Sequence, residues 1–377
     1  MKKIAYFSNG SSIYDYFFIS KLSQKFNILF LTFNPTEKVI QQNTKVVVIS
    51  ELIRRSLIHD SIRIYSSIPI RYFLLKSYLR KYNPDILIGC GGLDYGFISA
   101  LSQFKPFVLF IWGSEVLVWP KFLPFRAMIK YSLKKADLVV VDSDVQRNAC
   151  IKLGYDGKIV KLPWVDSIEL KRLSERVKVE KDELRNRIGW SSGDPVVICT
   201  RLHEKIYDIE TIIRAIPVVL RREPRTRFIF VGGGGSLTEK LKAMTKKLNV
   251  EKNVYFTGYV PRTKIFYYLK NSDIYVSSSL SDGTSASLLE AMICKLPCVV
   301  SDIPGNREWI KENENGLLFP TKDYNALAQK IIMLIKNDHL SKELGEKAAK
   351  TVEEKANWDK TSQALYEALE NLQKRKL

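Results

Sequence analysis

The sequence predicts two doubly wound α/β domains in tandem, and three observations carry that expectation. Short, continuous apolar runs recur along the chain, as strands buried on both faces of a parallel sheet require. Segments with helical apolar spacing lie between the runs, as right-handed crossovers require. The chain is 377 residues long, enough for two domains rather than one.

In the first half the runs fall at residues 3–7, 28–33, 45–49, 85–88, 106–111 and 138–141. The first ends in Ser8-Asn9-Gly10-Ser11-Ser12, a loop of turn formers. A helical pattern with Phe17, Phe18, Leu22 and Phe26 follows over residues 14–25. Between residues 164 and 193 the apolar periodicity weakens and charges crowd together, as in Glu180-Lys181-Asp182-Glu183. That stretch reads as a linker with a short helix. A second series places strands at 196–200, 227–231, 253–257, 273–277, 297–301 and 316–319. Its helices fall at about 209–222, 237–248, 262–270, 286–294 and 324–336, and a final helical run covers 359–374 with no strand after it. The expected division is a first domain at 1–165, a linker at 166–192, a second domain at 193–355 and a C-terminal helix at 356–377.

Composition narrows the class. Hydrophobic residues make up 46% and charged residues 26%, a globular balance that excludes disordered and collagen-like chains. The five cysteines are scattered without CxxC spacing, which suits a reducing compartment better than a disulfide framework. The N-terminal apolar stretch is too short for a signal peptide, and no run approaches the ~18 apolar residues of a membrane helix. A cytoplasmic protein is expected. The net charge is +19, of which residues 1–165 carry +12. Such a surface suits a phosphorylated substrate, anionic lipid or nucleic acid.

Ligands of open parallel sheets bind beyond the C-terminal ends of the strands. The two domains are therefore expected to face each other across a cleft, with the chemistry in the loops after the strands. The most informative loop is Ser281-Asp282-Gly283-Thr284-Ser285-Ala286-Ser287-Leu288-Leu289-Glu290, which leaves one strand and enters a helix. Gly283 permits close approach of backbone to ligand. Thr284, Ser285 and Ala286 offer N–H groups at a helix start, where an anion binds. Asp282 and Glu290 place two acids beside the same ligand. An N-capped helix with a solvated Glu290 is the plainer alternative.

This segment resembles the acid-x7-Glu signature of retaining nucleotide-sugar glycosyltransferases of family 4, which have the GT-B fold of two Rossmann-like domains. The loops Pro297-Cys298-Val299-Val300-Ser301-Asp302-Ile303-Pro304-Gly305, Val231-Gly232-Gly233-Gly234 and Tyr255-Phe256-Thr257-Gly258-Tyr259-Val260 resemble the family as well. The resemblance is dense over 193–340 and loose over the first half, where Ala136-Asp137-Leu138-Val139 carries part of it. It implies that Glu290 binds the donor ribose and Asp282 contacts the donor sugar, with Asp in place of the usual Glu. It implies that Arg201 and a nearby lysine neutralise the diphosphate. The usual lysine position is Ile206 here, so Lys205 takes the role only through a loop one residue shorter. Gly233 adjoins the phosphates, and the backbone at Gly258 and Tyr259 meets the base. It also implies a final helix that crosses back to the first domain.

Several other groups have alternative readings. Asp142-Ser143-Asp144 has DxD spacing but opens a helix, so its acids read as caps rather than metal ligands. His59, His203 and His339 have no ligand spacing, and His203 reads as a donor contact or a solvated loop residue. In the first domain, Gly10 and Ser11 lie in the loop after the first strand. Trp112 stands where the family often has His, in Ile111-Trp112-Gly113-Ser114-Glu115. Trp112 is a candidate to stack on a sugar and Glu115 to accept a hydrogen bond, with a structural loop as the alternative. Residues 71–81 and 119–135 mix aromatic and basic side chains, which suits an anionic membrane surface.

The expected activity is a retaining, metal-independent glycosyltransferase of the hexosyltransferase class, with no cofactor beyond its nucleotide-sugar substrate. Its acceptor is expected to be a lipid-linked or membrane-proximal glycan, and its location the cytoplasmic face of the membrane, without nucleic acid. A nucleotide-sugar epimerase or hydrolase of the same fold, and a non-catalytic basic partner subunit, stay open.

Overall fold

A computed structural model of the protein describes residues 1–10, 12–32, 43–48, 68–180, 182–233 and 235–373. The chain forms two compact units: Met1–Trp164 together with the stretch from Asp359 onward, and Val165–Trp358. Each is a Rossmann-like α/β unit built on one parallel sheet.

The sheet of the first unit contains β1 (Lys3–Phe7), β2 (Asn27–Thr32), β3 (Thr44–Val48), β4 (Ile86–Cys90), β5 (Phe107–Phe110), β6 (Leu138–Val141) and β7 (Ile159–Lys161). Their order is β3-β2-β1-β4-β5-β6-β7, all parallel. The continuous apolar runs arise because both faces are covered: Ile4, Ala5, Tyr6 and Phe7 are all fully buried. β7 was not anticipated, because it is three residues long and only Val160 is buried. Residues 33 and 49, at the ends of two expected strands, lie outside the described residues.

The second sheet contains β8 (Val196–Cys199), β9 (Arg227–Val231), β10 (Val254–Gly258), β11 (Ile274–Ser277), β12 (Cys298–Ser301) and β13 (Leu317–Phe319). Their order is β10-β9-β8-β11-β12-β13, again all parallel. In both sheets the chain runs outward in one direction and then restarts beside its first strand. The crevice at that reversal lies between β1 and β4 in one unit and between β8 and β11 in the other.

Two expectations about organisation are corrected. The stretch 166–192 is not a linker but part of the second unit. Its helices Ser167–Arg176 and Glu183–Arg187 bury Leu170 and Leu184 in that core, and Ser167 N–H donates to the Ala356 carbonyl at 2.8 Å. The crowded charges are used locally: Lys171 pairs with Glu353 at 2.7 Å, and Arg185 with Asp273 at 2.6 Å. The helix Asp338–Lys355 was not anticipated at all. Its buried stripe is Leu344, Gly345, Ala348, Ala349 and Val352, mostly small residues that give little apolar signal.

The last helix, Gln363–Asn371, packs in the first unit. Lys2 Nζ donates to the carbonyls of Leu369 (3.2 Å) and Leu372 (2.7 Å), and Tyr366 Oη donates to the Lys21 carbonyl at 3.2 Å. Among the described residues, no helix is long and apolar enough to cross a membrane. All five cysteines are free.

Candidate functional site

The loops at the C-terminal edge of the second sheet are tied to one another. Leu280 N–H donates to the Ile206 carbonyl at 2.8 Å, Ser301 Oγ to the Ser279 carbonyl at 2.6 Å and Leu237 N–H to the His203 carbonyl at 3.0 Å. A Cβ on Gly233 would stand 2.7 Å from the Tyr259 nitrogen, so only glycine lets the loops after β9 and β10 meet. A Cβ on Gly305 would stand 2.4 Å from the Asp282 carbonyl oxygen, so glycine also sets the turn carrying Asp282. Gly234 lies outside the described residues.

Arg201 follows β8 and Asp282 follows β11, so their pair spans the crevice at the strand-order reversal. Arg201 donates through Nη2 to Asp282 Oδ2 at 2.6 Å, and through Nη1 to Ser285 Oγ at 2.7 Å and Ser287 Oγ at 2.9 Å. Its guanidinium lies 3.9 Å from the Tyr207 ring centroid, and Nε has no hydrogen-bond partner among the described residues. Tyr275 Oη in turn donates to Ser287 Oγ at 3.1 Å. Burial opposes the Arg201 charge, but Asp282, with the nearby tyrosines and Cys199, outweighs it and keeps the group firmly protonated. Burial raises the Asp282 pKa, and Arg201 and the Gly283 N–H only partly offset that. Asp282 is therefore held by a cation, and its contact with a sugar would be made from inside that ion pair.

Ser285 caps the helix Ala286–Ile293, accepting from Leu288 N–H at 3.4 Å. Thr284 accepts from Trp309 Nε1 at 3.4 Å, and Gly283 is buried in the turn. Ala286 begins the first turn, whose N–H groups have no partner within the helix. Glu290 is not the solvated residue of the plainer reading: it is 4% exposed and accepts from Arg262 Nε at 3.0 Å. Burial raises its pKa, with Arg262 and then Arg201 opposing.

Arg262 is a site residue that the sequence reading missed. It opens the helix Arg262–Lys270, whose first turn contains no acid. A cation there runs against the helix dipole. That mismatch is the local signal that could have pointed to an anionic partner, which in the structure is Glu290.

Lys205 lies on the same loop as Arg201, exposed and without an ion pair among the described residues. Gly258 ends β10 at φ +70°, and the Tyr259 side chain beyond it is 80% exposed. His203 is not a solvated loop residue, being 1% exposed. Its Nδ1 lies 2.9 Å from Thr238 Oγ1, and burial, then Lys242, lower its pKa, so the ring is neutral at pH 7. His59 lies outside the described residues.

The corresponding edge of the first unit is built differently. Glu115, expected on the acceptor side, has its carboxylate turned inward. It accepts from the N–H groups of Trp112 (2.6 Å), Gly113 (2.7 Å) and Gly92 (3.4 Å). Trp112 stacks on Tyr14 with centroids 5.7 Å apart and meets the Trp164 ring edge-on at 4.6 Å. Gly10 is buried after β1, and its N–H donates to Asp15 Oδ2 at 3.1 Å. Ser11 lies outside the described residues. In the DxD segment the cap is Ser143, whose Oγ accepts from Gln146 N–H at 3.3 Å, while Asp144 pairs with Lys161. The acids are therefore not the caps. Among the described residues, no three His, Cys, Asp or Glu side chains stand together as a metal-ligand group.

Comparison with known proteins gives a family for each half. Residues 3–143 match the family model described as glycosyl transferase 4-like, and residues 180–351 match glycosyl transferases group 1. The chain is 34% identical over 148 residues to poly(ribitol-phosphate) alpha-N-acetylglucosaminyltransferase of Staphylococcus aureus, covering 39% of this chain and 29% of that protein. It is 24% identical to N-acetyl-alpha-D-glucosaminyl L-malate synthase of Bacillus anthracis, covering 66% and 63%. The chain thus spans less than two thirds of the length of these curated relatives. Among solved structures, sucrose-phosphate synthase from Thermosynechococcus elongatus superposes with a TM-score of 0.82 at 18% identity, over 98% of each chain. Anabaena HepE in complex with UDP gives 0.75 at 17% identity, over 99% of this chain and 100% of that one. Both likenesses show the shared GT-B fold.

Proposed function

The chain belongs, half by half, to the glycosyl transferase 4-like and glycosyl transferases group 1 families, and from that premise we propose that it is a glycosyltransferase moving a sugar from a nucleotide-sugar to an acceptor. The observation that carries this reading is the pairing of Arg201 with Asp282 at the strand-order reversal, beside the start of the helix Ala286–Ile293. The UDP bound to Anabaena HepE supports a nucleoside diphosphate as the leaving group.

As the glycosidic bond breaks, negative charge develops on the diphosphate. Arg201, the Lys205 amine and the N–H groups of the first helical turn stabilise that charge in place. The ribose hydroxyls donate to Glu290, and Asp282 meets the sugar. Transfer proceeds with retention at the anomeric carbon. A thermal-shift screen of nucleotide-sugars, followed by mass spectrometry and NMR of the products, tests donor, transfer and stereochemistry together. Turnover in EDTA tests the metal-independent reading. Activity lost in EDTA, restored by Mn²⁺ and absent in Asp142→Asn would overturn it.

The acceptor is lipid-linked or membrane-proximal, and the protein works as a peripheral protein on the cytoplasmic leaflet. Two surfaces of the first unit support this. Trp119, Phe122 and Phe125 form a ring cluster with centroids 5.4–6.2 Å apart, and Trp119, Phe122 and the adjoining Leu123 are exposed beside Lys121, Arg126 and Lys130. Ile70 and Phe73 are exposed on the helix Ile68–Tyr82, although Arg71 of that helix turns inward to Asp94 at 3.1 Å. Such surfaces combine interfacial insertion with attraction to anionic lipid.

A further inference from the structure

Glu290 and Arg262 are unequally buried. The carboxylate is 4% exposed, whereas the Arg262 side chain is 32% exposed. Only Nε of Arg262 is used, on Glu290 Oε1 at 3.0 Å. Its two terminal nitrogens make no hydrogen bond among the described residues. An ion pair whose purpose was to pack two helices would bury the cation along with the anion and saturate its fork of donors. Here the guanidinium stays part-exposed, four residues after Gly258 in the chain, at a helix start where a cation has no local support.

We propose that Arg262 is a positioning residue of the donor site: its Nε fixes the Glu290 carboxylate so that this group accepts from the ribose hydroxyls, making Arg262 a determinant of ribose over deoxyribose. The inference rests on the donor-site reading above and adds to it a residue and a selectivity. A carboxylate held at one oxygen presents the other in a fixed direction. Without the guanidinium it is a buried anion with no direct partner, which turns towards solvent or takes up a proton, and either change costs the hydroxyl contacts. Glu290 faces Arg262 from the neighbouring helix, Arg201 from the loop after β8 and Cys294 on its own helix. Among these, only Arg262 bonds the carboxylate directly.

The test compares dissociation constants for ADP, GDP and UDP, and then for the 2′-deoxy form of whichever binds tightest. Wild type should favour the ribonucleotide by about tenfold or more, the loss expected for one charge-assisted hydrogen bond. Arg262→Met should bring that ratio close to one and weaken ribonucleotide binding several-fold. Arg262→Lys should restore part of the ratio, and unliganded melting curves check that each variant is folded. A wild-type ratio in folded Arg262→Met overturns the proposal. If Arg262→Met does not fold, an unchanged ratio in Arg262→Lys overturns it instead. Wild type that binds none of the three nucleotides overturns the donor-site reading and this inference with it. Wild type that binds ribo and deoxy forms equally leaves the nucleotide site standing and overturns the ribose selectivity.

Discussion

The two units place buried or half-buried acids at the same edge of similar sheets, but they surround them with different partners. In the first unit, Glu115 accepts from three backbone N–H groups, and Asp15 accepts from Gly10 N–H and Tyr6 Oη. In the second unit, Asp282 and Glu290 are each bonded by an arginine, Arg201 and Arg262. A carboxylate bound by main-chain amides is fixed by the fold and shapes a loop. A carboxylate bound by a guanidinium shares that cation with whatever anion or hydroxyl enters, because the side chain can rearrange and keeps donors in reserve. The first arrangement suits structure, and the second suits the ligand role proposed for Asp282 and Glu290.

The strongest attack on this contrast is Arg201→Met. It removes the cation proposed to face the diphosphate, and kcat/KM should fall about 10²–10³-fold. Asp282 would be left as an unpaired, half-buried charge, so melting temperature should fall as well. Turnover within twofold of wild type would end the assignment. Glu290→Ala should weaken donor binding by about 10- to 200-fold, from charge-assisted bonds of about 1.5–3 kcal/mol. Calorimetry with UDP or the preferred nucleotide measures this.

Glu115→Ala probes the other unit and should do the reverse. Each of the three N–H groups left without its acceptor costs about 1–3 kcal/mol, so stability should drop by several kcal/mol while nucleotide affinity stays the same. A lost nucleotide affinity in a folded Glu115→Ala would erase the distinction between the units.

Acidity sharpens the comparison further. Burial raises the Glu290 pKa, with Arg262 and Arg201 opposing, so on acidification it takes up a proton earlier than a free glutamic acid. The neutral group is a weaker acceptor, so donor affinity should fall as pH drops. Phosphate protonation adds its own pH dependence, but it is common to wild type and Glu290→Gln. The extra loss should be present in wild type and absent in the variant.

The smallest effect on the donor site should come from the surface of the first unit. Changing Lys121, Arg126 and Lys130 together to Glu should reduce pelleting with anionic vesicles and leave nucleotide binding unchanged. Wild type that ignores anionic vesicles at low salt would favour a soluble acceptor.

The sequence by itself determined the alternating α/β order, twelve of the thirteen described strands to within a residue or two at each end, and the segment that carries Asp282 and Glu290. These are local signals: a strand buried on both faces is a run of apolar residues, and a helix that starts at a ligand needs Gly, Ser and Thr before it. Short or small-residue elements gave no such signal. β7 exposes two of its three residues at least partly, and the helix Asp338–Lys355 buries alanines and a glycine against the carbonyl of Lys295. The charged stretch 166–192 looked like a linker because composition does not show which charges find partners. Pairing was decided only in three dimensions. Arg262 and Glu290 are 28 residues apart, and Arg201 and Asp282 are 81 apart. The strand order that brings β8 beside β11 made the second of these pairs, and the first joins two helices that bury residues in the same core. Glu115 shows the same limit from the other side: its residue type suggested chemistry, and only the fold around it aimed its oxygens at the backbone.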